Sequence, residues 1–156
     1  MPRQDTNLES TGAEFLVLGQ LLIQGIPAYK TYTNLPGYDL TATWPETNRS
    51  ARIQVKSRWA TDAGHILVKN TDFDFLILVR LNRGYRKTAA KLMLPAEDPE
   101  YYVLSVQEAR DLLTDHDTGW QKIRWSKDKF APYRRKWGVI QDFLNISEQQ
   151  KTPEAK

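Results

Sequence analysis

The sequence predicts an α/β domain with a mixed central β-sheet that helices cover on both faces. Two segments, Tyr38–Trp44 and Ser50–Arg58, alternate apolar and polar residues with period two and flank a short polar loop, which indicates an antiparallel hairpin. The apolar run within Phe73–Leu81 is typical of a strand buried on both faces. Helical periodicity before and after these strands supplies the covering layers.

Bulk composition favours a single globular domain. The chain has 156 residues, no cysteine and a net charge of +3, with a sequence pI of about 9.1. We expect one domain over residues 1–146 and a polar tail over 147–156. No run approaches the roughly 18 apolar residues that span a bilayer, so we expect a cytoplasmic protein without a membrane partner. The mildly basic charge permits nucleic acid as a partner.

The first predicted helix covers Thr11–Gln24, and its apolar residues surround most of its circumference, which predicts a largely buried helix. Gly25 and Pro27 end it. Thr11 and Glu14 have the spacing of a capping box, with Thr11 as N-cap. A strand is predicted at Ala28–Thr33, followed by a turn at 34–37.

Three further elements complete the prediction. Short strands are expected at Lys91–Leu94 and Tyr101–Leu104. Ser105 begins a helix, because Glu108 stands three residues later in a second capping box, with Ala109, Leu112 and Leu113 facing inward. A closing helix is predicted from Tyr133 to Leu144, with Trp137 and Ile140 on its inner face.

The hairpin brings three polar side chains together if its turn centres between Glu46 and Thr47. Asp39 then lies across from Gln54, and Lys56 projects from the same face two residues further along. Oxygen ligands of this kind suit Mg²⁺, and a neighbouring lysine can hold a water molecule. The alternative is an ordinary solvated hairpin face, since alternating polar residues are typical of one.

These residues resemble a known motif. Gly37-Tyr38-Asp39-Leu40, followed after the turn by Ile53-Gln54-Val55-Lys56-Ser57, is similar to the PD-(D/E)xK nuclease motif in its QxK form. The resemblance implies a restriction-endonuclease-like core, as in small homing endonucleases and Holliday junction resolvases. It covers the chain from about Thr11 to Leu104.

The resemblance also implies residue roles. Asp39, Gln54 and the Val55 carbonyl would bind Mg²⁺, for which Mn²⁺ can substitute, and Lys56 would position the attacking water. Many members add a glutamate from the first helix, which matches Glu14; the capping-box role remains the alternative for that residue. Gln54 departs from the common pattern, because a neutral amide replaces a carboxylate and lowers metal affinity.

The C-terminal third is basic and aromatic. Residues 120–137 interleave cations with Trp, Tyr and Phe rings. Candidate phosphate contacts are Arg124, Lys127, Lys129, Arg134, Arg135 and Lys136. The rings can stack on bases, or Trp125, Phe130 and Trp137 can pin the closing helix to the core. We favour Trp137 in the core and the cations of 134–136 at a phosphate backbone.

The sequence therefore predicts a Mg²⁺-dependent endonuclease acting on double-stranded DNA. Cutting both strands requires two sites, so a homodimer or a higher even homo-oligomer is expected. Homing, junction-resolving and restriction-type enzymes remain open within this class. Two alternatives are a non-catalytic DNA-binding module that retains the fold, and an interaction domain without DNA binding.

Overall fold

The computed structural model describes residues 6–31, 37–61, 64–84, 96–115, 121–147 and 150. In these ranges the helices are α1 Thr6–Ile23, α2 Val106–Leu112, α3 Lys127–Phe130 and α4 Gly138–Phe143, and a 3-10 turn covers Ala131–Tyr133. The strands are β1 Ala28–Lys30, β2 Leu40–Trp44, β3 Arg49–Arg58, β4 His65–Val68, β5 Phe75–Arg80, β6 Glu100–Ser105, β7 Leu113–Asp115 and β8 Gln121–Arg124.

The main sheet is mixed and has five strands in the order β1-β2-β3-β5-β6. Only the β3–β5 pairing is parallel among the described strands of this sheet. All six residues of β5 are buried, because α1 and α4 pack on one face of the sheet while α2, α3 and the strands β4 and β8 cover the other. The predicted fold class, a mixed sheet with helices on both faces, is confirmed.

The predicted hairpin register is confirmed as well. Leu40 pairs with Ile53, and Thr41 pairs with Arg52, which is the register that a turn centred between Glu46 and Thr47 gives. β2 starts only at Leu40, so the second half of β3 continues past the end of its neighbour. The edge of β3 is therefore open beside Asp39.

The first helix differs from its prediction in two respects. It starts at Thr6, so Thr11 lies inside it and the proposed capping box of Thr11 and Glu14 is wrong. Residues 7–11 contain no proline, and the helix simply continues through them. Its burial is also one-sided: only Ala13, Val17 and Leu21 are buried, because a helix lying on a sheet covers a single stripe.

The C-terminal third was predicted less well. Strands β4, β8 and β7 form a second, three-stranded sheet that was not predicted from the sequence, and Leu113 belongs to β7 rather than to α2. The closing helix is shorter than predicted, since a 3-10 turn that contains Pro132 covers Ala131–Tyr133 and Arg135 takes a left-handed φ of 51°. Its inner residues are buried as expected: Trp137, Ile140 and Leu144.

The remaining elements agree with their predictions where they can be compared. Ser105 and Glu108 form the expected capping box at the start of α2. The predicted strand Lys91–Leu94, the turn residues 34–36 and most of the 147–156 tail lie outside the described residues. Among the helices of the described ranges, none is both long and apolar enough to cross a membrane.

Candidate active site

A polar cleft lies between the N-terminal half of α1 and the open edge of β3. Its volume is about 360 Å³, and the residues that line it are Thr6, Glu9, Ser10, Glu14, Asp39, Gln54, Val55, Lys56, Ser57 and Arg58. The four predicted catalytic residues, Glu14, Asp39, Gln54 and Lys56, all line this one cleft. The structure thus brings together side chains that the chain order separates by up to 42 positions, from 14 to 56.

Asp39 is fixed by its backbone and its carboxylate. Its N–H donates to Ile53 O at 2.8 Å, and its carbonyl accepts from Thr31 N at 3.0 Å. The carboxylate Oδ2 accepts from the Gln54 amide Nε2 and from Val55 N, each at 2.8 Å. Asp39 therefore contacts the QxK segment directly, as the hairpin register predicts.

Burial shifts the pKa values of Asp39 and Lys56 in opposite directions. Desolvation raises the pKa of Asp39 above its ordinary value, and the nearby Glu14 carboxylate adds to this, against the lowering effect of the Val55 N–H. Desolvation lowers the pKa of Lys56, and Lys69 and Arg58 add to it while Asp39 opposes it. Both shifts favour the neutral form of the side chain over its ionised form.

Glu14 lies on the side of α1 that faces the sheet. Its Oε2 forms an ion pair of 2.8 Å with Lys30 Nζ from β1, and both side chains are only 17% exposed. Lys30 also lies 4.8 Å from the centre of the Phe15 ring. Lys30 is thus the main charge partner of Glu14, and it holds that carboxylate at the rim of the cleft.

Some of the residues that line the cleft were not predicted from the sequence. Glu9 and Ser10 reach it because α1 begins five residues earlier than predicted, and Oε2 of Glu9 is buried. The only sequence signal was helical spacing: position 10 lies one turn before Glu14 on the same side of the helix. The first ten residues are polar and show no apolar periodicity, so a helix starting this early was not predicted.

A second cleft of about 350 Å³ adjoins the first. It is lined by Gly37, Gln54, Lys56, Val68, Lys69 and Asn70. Gln54 and Lys56 line both clefts and therefore separate them. One side of this partition carries carboxylates, whereas Lys69 and the Asn70 amide lie on the other.

None of the predicted DNA-binding cations lines either cleft. All six are exposed: Arg124, Lys127, Lys129, Arg134, Arg135 and Lys136. Arg134 forms a β-bridge with Tyr102 of β6, and the register places Tyr102, Leu78 and Lys56 in one row across the sheet. With neighbouring strands about 4.8 Å apart, Lys56 is roughly 10 Å from β6, and Arg134 lies one strand position further. Arg124 belongs to β8, and Lys127 and Lys129 belong to α3, the elements that cover one face of the sheet.

The aromatic rings of this segment serve packing. Phe130 and Trp137 are buried, and Trp125 lies 4.8 Å from the Tyr102 ring and 4.9 Å from the Phe130 ring. The Arg80 guanidinium stacks 4.2 Å from the centre of Trp125. The alternative in which these three rings pin the segment to the core is therefore correct, and the predicted core position of Trp137 is confirmed. Trp120 lies outside the described residues.

The donors around Asp39 fit a hard divalent cation. The carboxylates of Asp39 and Glu14, the Gln54 amide oxygen and the Val55 carbonyl are all oxygen ligands, which Mg²⁺ and Mn²⁺ prefer. Across the described residues, no group of three or more His, Cys, Asp or Glu side chains is placed to hold a metal ion. A cation here would depend on amide and carbonyl oxygens as well as on carboxylates.

This combination of a mixed five-stranded sheet, an N-terminal helix and an open hairpin edge is a nuclease fold. Solved structures that share it include the following two. A bacterial homing endonuclease superposes with a TM-score of 0.61 over 96% of this chain and 100% of its own, at 17% identity. Hjc, a Holliday junction resolvase from the archaeal hyperthermophile Archaeoglobus fulgidus, gives 0.51 over 84% and 94%, at 15% identity.

At these identities the likeness extends to the fold alone. No protein-family model matches the chain, and neither does any curated protein.

Proposed function

We propose that this protein is a Mg²⁺-dependent endonuclease that hydrolyses phosphodiester bonds of double-stranded DNA. The observation that carries the proposal is the contact of Asp39 with Gln54 and Val55, in a cleft that Glu14 and Lys56 also line. The shared fold with a homing endonuclease and a junction resolvase supports it. A solvated hairpin face does not explain why a partly buried carboxylate should be held by two hydrogen bonds.

The proposal divides two tasks, cation binding and positioning of the attacking water, among the residues of the cleft. Asp39, Glu14, Gln54 and the Val55 carbonyl would hold the cation, which supplies positive charge against the phosphate and acidifies a bound water. Asp39 must be ionised for this, and the Val55 N–H and Gln54 amide keep its carboxylate oriented. Lys56 orients the attacking water by hydrogen bonding. Hydrolysis forms a bond from the water oxygen to phosphorus and breaks a bond from phosphorus to a sugar oxygen, which takes up a proton from solvent as the attacking water loses one.

Supercoiled plasmid provides the test. We expect Mg²⁺ or Mn²⁺ to support nicking and linearisation, and we expect Asp39→Asn and Lys56→Met to reduce the rate at least about 100-fold, as is usual when a group that acts in the transition state is removed. Asp98→Asn is the matched control, because Asp98 is exposed and does not line the cleft. Equal cleavage by Asp39→Asn and the unsubstituted protein would exclude the proposal.

A non-catalytic DNA-binding module is the second candidate. One observation favours it: the Gln54 amide donates its N–H to Asp39, so one potential cation ligand instead satisfies the carboxylate. This candidate predicts salt-sensitive DNA binding with no cleavage in Mg²⁺ or Mn²⁺. A plasmid and a four-way junction, compared side by side, further separate homing or restriction-type enzymes from junction-resolving ones.

A further inference from the structure

The solvent side of α1 is apolar and carries no charge. Glu9 and Glu14 are the only charged residues in Thr6–Ile23, and both line the cleft on the opposite side. The exposed apolar side chains are Leu8 at 75%, Phe15 at 51%, Leu16 at 38%, Leu22 at 53% and Ile23 at 68%. They form a patch on the order of 500 Å², a size that is often functional on soluble proteins.

Two glycines interrupt this patch at regular spacing. The series Leu8, Gly12, Phe15, Gly19, Leu22 alternates steps of four and three residues, which places all five on one stripe of the helix. A Cβ added at Gly12 or Gly19 would meet no atom within 4 Å. The monomer therefore needs neither glycine for packing, although each weakens a helix by about 1 kcal/mol relative to alanine.

The composition of the stripe indicates what covers it. DNA does not suit this surface, because α1 has no lysine or arginine to contact phosphates and the neighbouring Lys30, beside the Phe15 ring, is paired with Glu14 and only 17% exposed. A membrane surface is excluded for the same reason, since interfacial helices carry cations on their polar face, whereas the polar side of α1 packs beside the sheet. The remaining occupant is another apolar protein surface.

Four of the five stripe positions, those from Gly12 to Leu22, are complementary to themselves under twofold symmetry, and Leu8 lies outside this pairing. Positions 12 and 22 lie five residues either side of 17, and positions 15 and 19 lie two either side of it. In an antiparallel pair centred at that level, Phe15 of each copy lies on Gly19 of the other, and Leu22 lies on Gly12. Such reciprocal contacts are what an isologous interface requires.

We propose that α1 forms an antiparallel helix pair with α1 of a second copy of this chain. Bulky side chains of one copy fill the gaps over the glycines of the other. The carboxylate clefts of the two copies then lie on opposite outer sides of the helix pair. Each is lined by Glu9 and Glu14 of its own copy. The proposal is independent of catalytic activity, because it rests on the solvent side of the helix alone.

The oligomeric state of the full chain is the first test. We expect sedimentation equilibrium to show a dimer that dissociates at micromolar concentrations. Its affinity should be weak, because the apolar patch is smaller than the roughly 800 Å² per partner of a standard interface. Gly19→Gln should abolish the dimer while raising the melting temperature of the monomer, so misfolding cannot account for the loss. Tyr29→Glu is the control, since Tyr29 is 55% exposed but lies on β1. A monomer at all concentrations, or a Gly19→Gln dimer, overturns the proposal.

Cross-linking tests the register. The chain contains no cysteine, so single substitutions give unambiguous products. A mixture of Phe15→Cys and Gly19→Cys copies should oxidise to a disulfide-linked dimer several-fold faster than either variant alone. Faster cross-linking of each variant with itself indicates a parallel pair and overturns the antiparallel arrangement.

Discussion

At the scale of single residues, the site depends on a carboxylate that the fold holds at an electrostatic cost. Asp39 is partly buried, and desolvation and Glu14 both oppose its ionisation. Gly37, two positions earlier, permits the approach of the chain to Asp72 with a φ of +100°. Sequence reasoning placed Asp39 and Lys56 close together, and both line one cleft, because the hairpin register fixes their neighbours. It did not predict Lys30 as the partner of Glu14, because that contact joins a helix to an edge strand.

Asp39→Asn should stabilise the protein while abolishing cleavage. The pKa of Asp39 is raised above its ordinary value of 3.8 in the folded state, so the ionised carboxylate lowers the stability of the fold. This loss is absent below pH 3.8, grows as the pH rises towards the folded pKa, and is complete above that pKa. The asparagine oxygen can still accept both hydrogen bonds. In chelator at pH 7 we expect a higher melting temperature, by a few degrees if the cost is about 1 kcal/mol. This gain should vanish below pH 3.8, and a lower melting temperature at pH 7 would contradict the pKa argument.

Gln54→Glu should make the thermal stability of the protein depend more strongly on a bound divalent cation. A third carboxylate beside Asp39 and Glu14 adds repulsion and removes the amide donor to Asp39, whereas it supplies a stronger ligand for Mg²⁺. We expect a lower melting temperature in chelator and a larger rise on adding Mg²⁺ than the unsubstituted protein shows. Thermal melts over a Mg²⁺ titration measure both. An unchanged response to Mg²⁺ would exclude position 54 from the cation site.

Gly37→Ala should be destabilising, by about 1–3 kcal/mol. Its Cβ would lie 2.7 Å from Asp72 Cβ and 3.1 Å from the Asp72 carbonyl oxygen, at a φ that disfavours any side chain. The matched control is Gly64→Ala, where an added Cβ meets nothing within 4 Å. Urea denaturation of both variants gives the two free energies of unfolding. Equal stability would show that this close approach is not needed.

At the scale of elements, the caps and breaks of the C-terminal third position its helices. α2 begins at a complete capping box, in which Ser105 Oγ accepts from Glu108 N and the Glu108 carboxylate accepts from Ser105 N at 2.8 Å. α3 has only four residues and a longer cap bond of 3.5 Å from Lys129 N to Ser126 Oγ. The capping box was predicted because its signal is local, whereas α3 was missed because four residues show no periodicity.

The two caps should therefore differ in strength. Ser105→Ala should cost about 1 kcal/mol, because it leaves a helical N–H without its acceptor. Ser126→Ala should cost clearly less, since its hydrogen bond is long and its helix is short. Chemical denaturation of the two variants compares them directly. A larger loss from Ser126→Ala would mean that α3 contributes more to folding than its length indicates.

At the scale of the whole molecule, carboxylates and cations occupy different places on the sheet. The carboxylate cleft lies where β2 and β3 separate, near the middle of the sheet. The exposed cations lie beside β6, at Arg134, and on β8 and α3, which cover one face. Lys136 alone among those cations has an ion pair in the described residues, at 3.9 Å from Glu108, a distance and exposure that make it weak. DNA that contacted both the cleft and these cations would run along the face of the sheet that β4, β8 and α3 cover.

Neutralising the cations of this basic surface should weaken DNA binding by a similar factor for every DNA sequence. In the triple variant Lys127→Gln, Lys129→Gln and Arg135→Gln, we expect the slope of log K against log salt to fall by up to about 2.7, which is 0.9 for each phosphate that the protein no longer neutralises. Fluorescence anisotropy across a salt series measures it. Arg49→Gln is the control, because this exposed arginine lies on the distant hairpin. An unchanged slope would place the DNA elsewhere.

The sequence by itself determined the parts that depend on local signals. Period-two alternation and a short polar loop fixed the hairpin and its register, and with them the contact of Asp39 with Gln54. The continuous apolar run fixed β5, and the Ser105 capping box fixed the start of α2.

Only the tertiary structure decided the rest. Which side of α1 is buried, the Lys30–Glu14 ion pair and the second sheet all depend on contacts between distant segments. Val68 pairs with Gln121, for example, across 53 positions of the chain. No local pattern encodes such a pairing, because short strands gain most of their stability from the partner and the core that they contact rather than from their own residues.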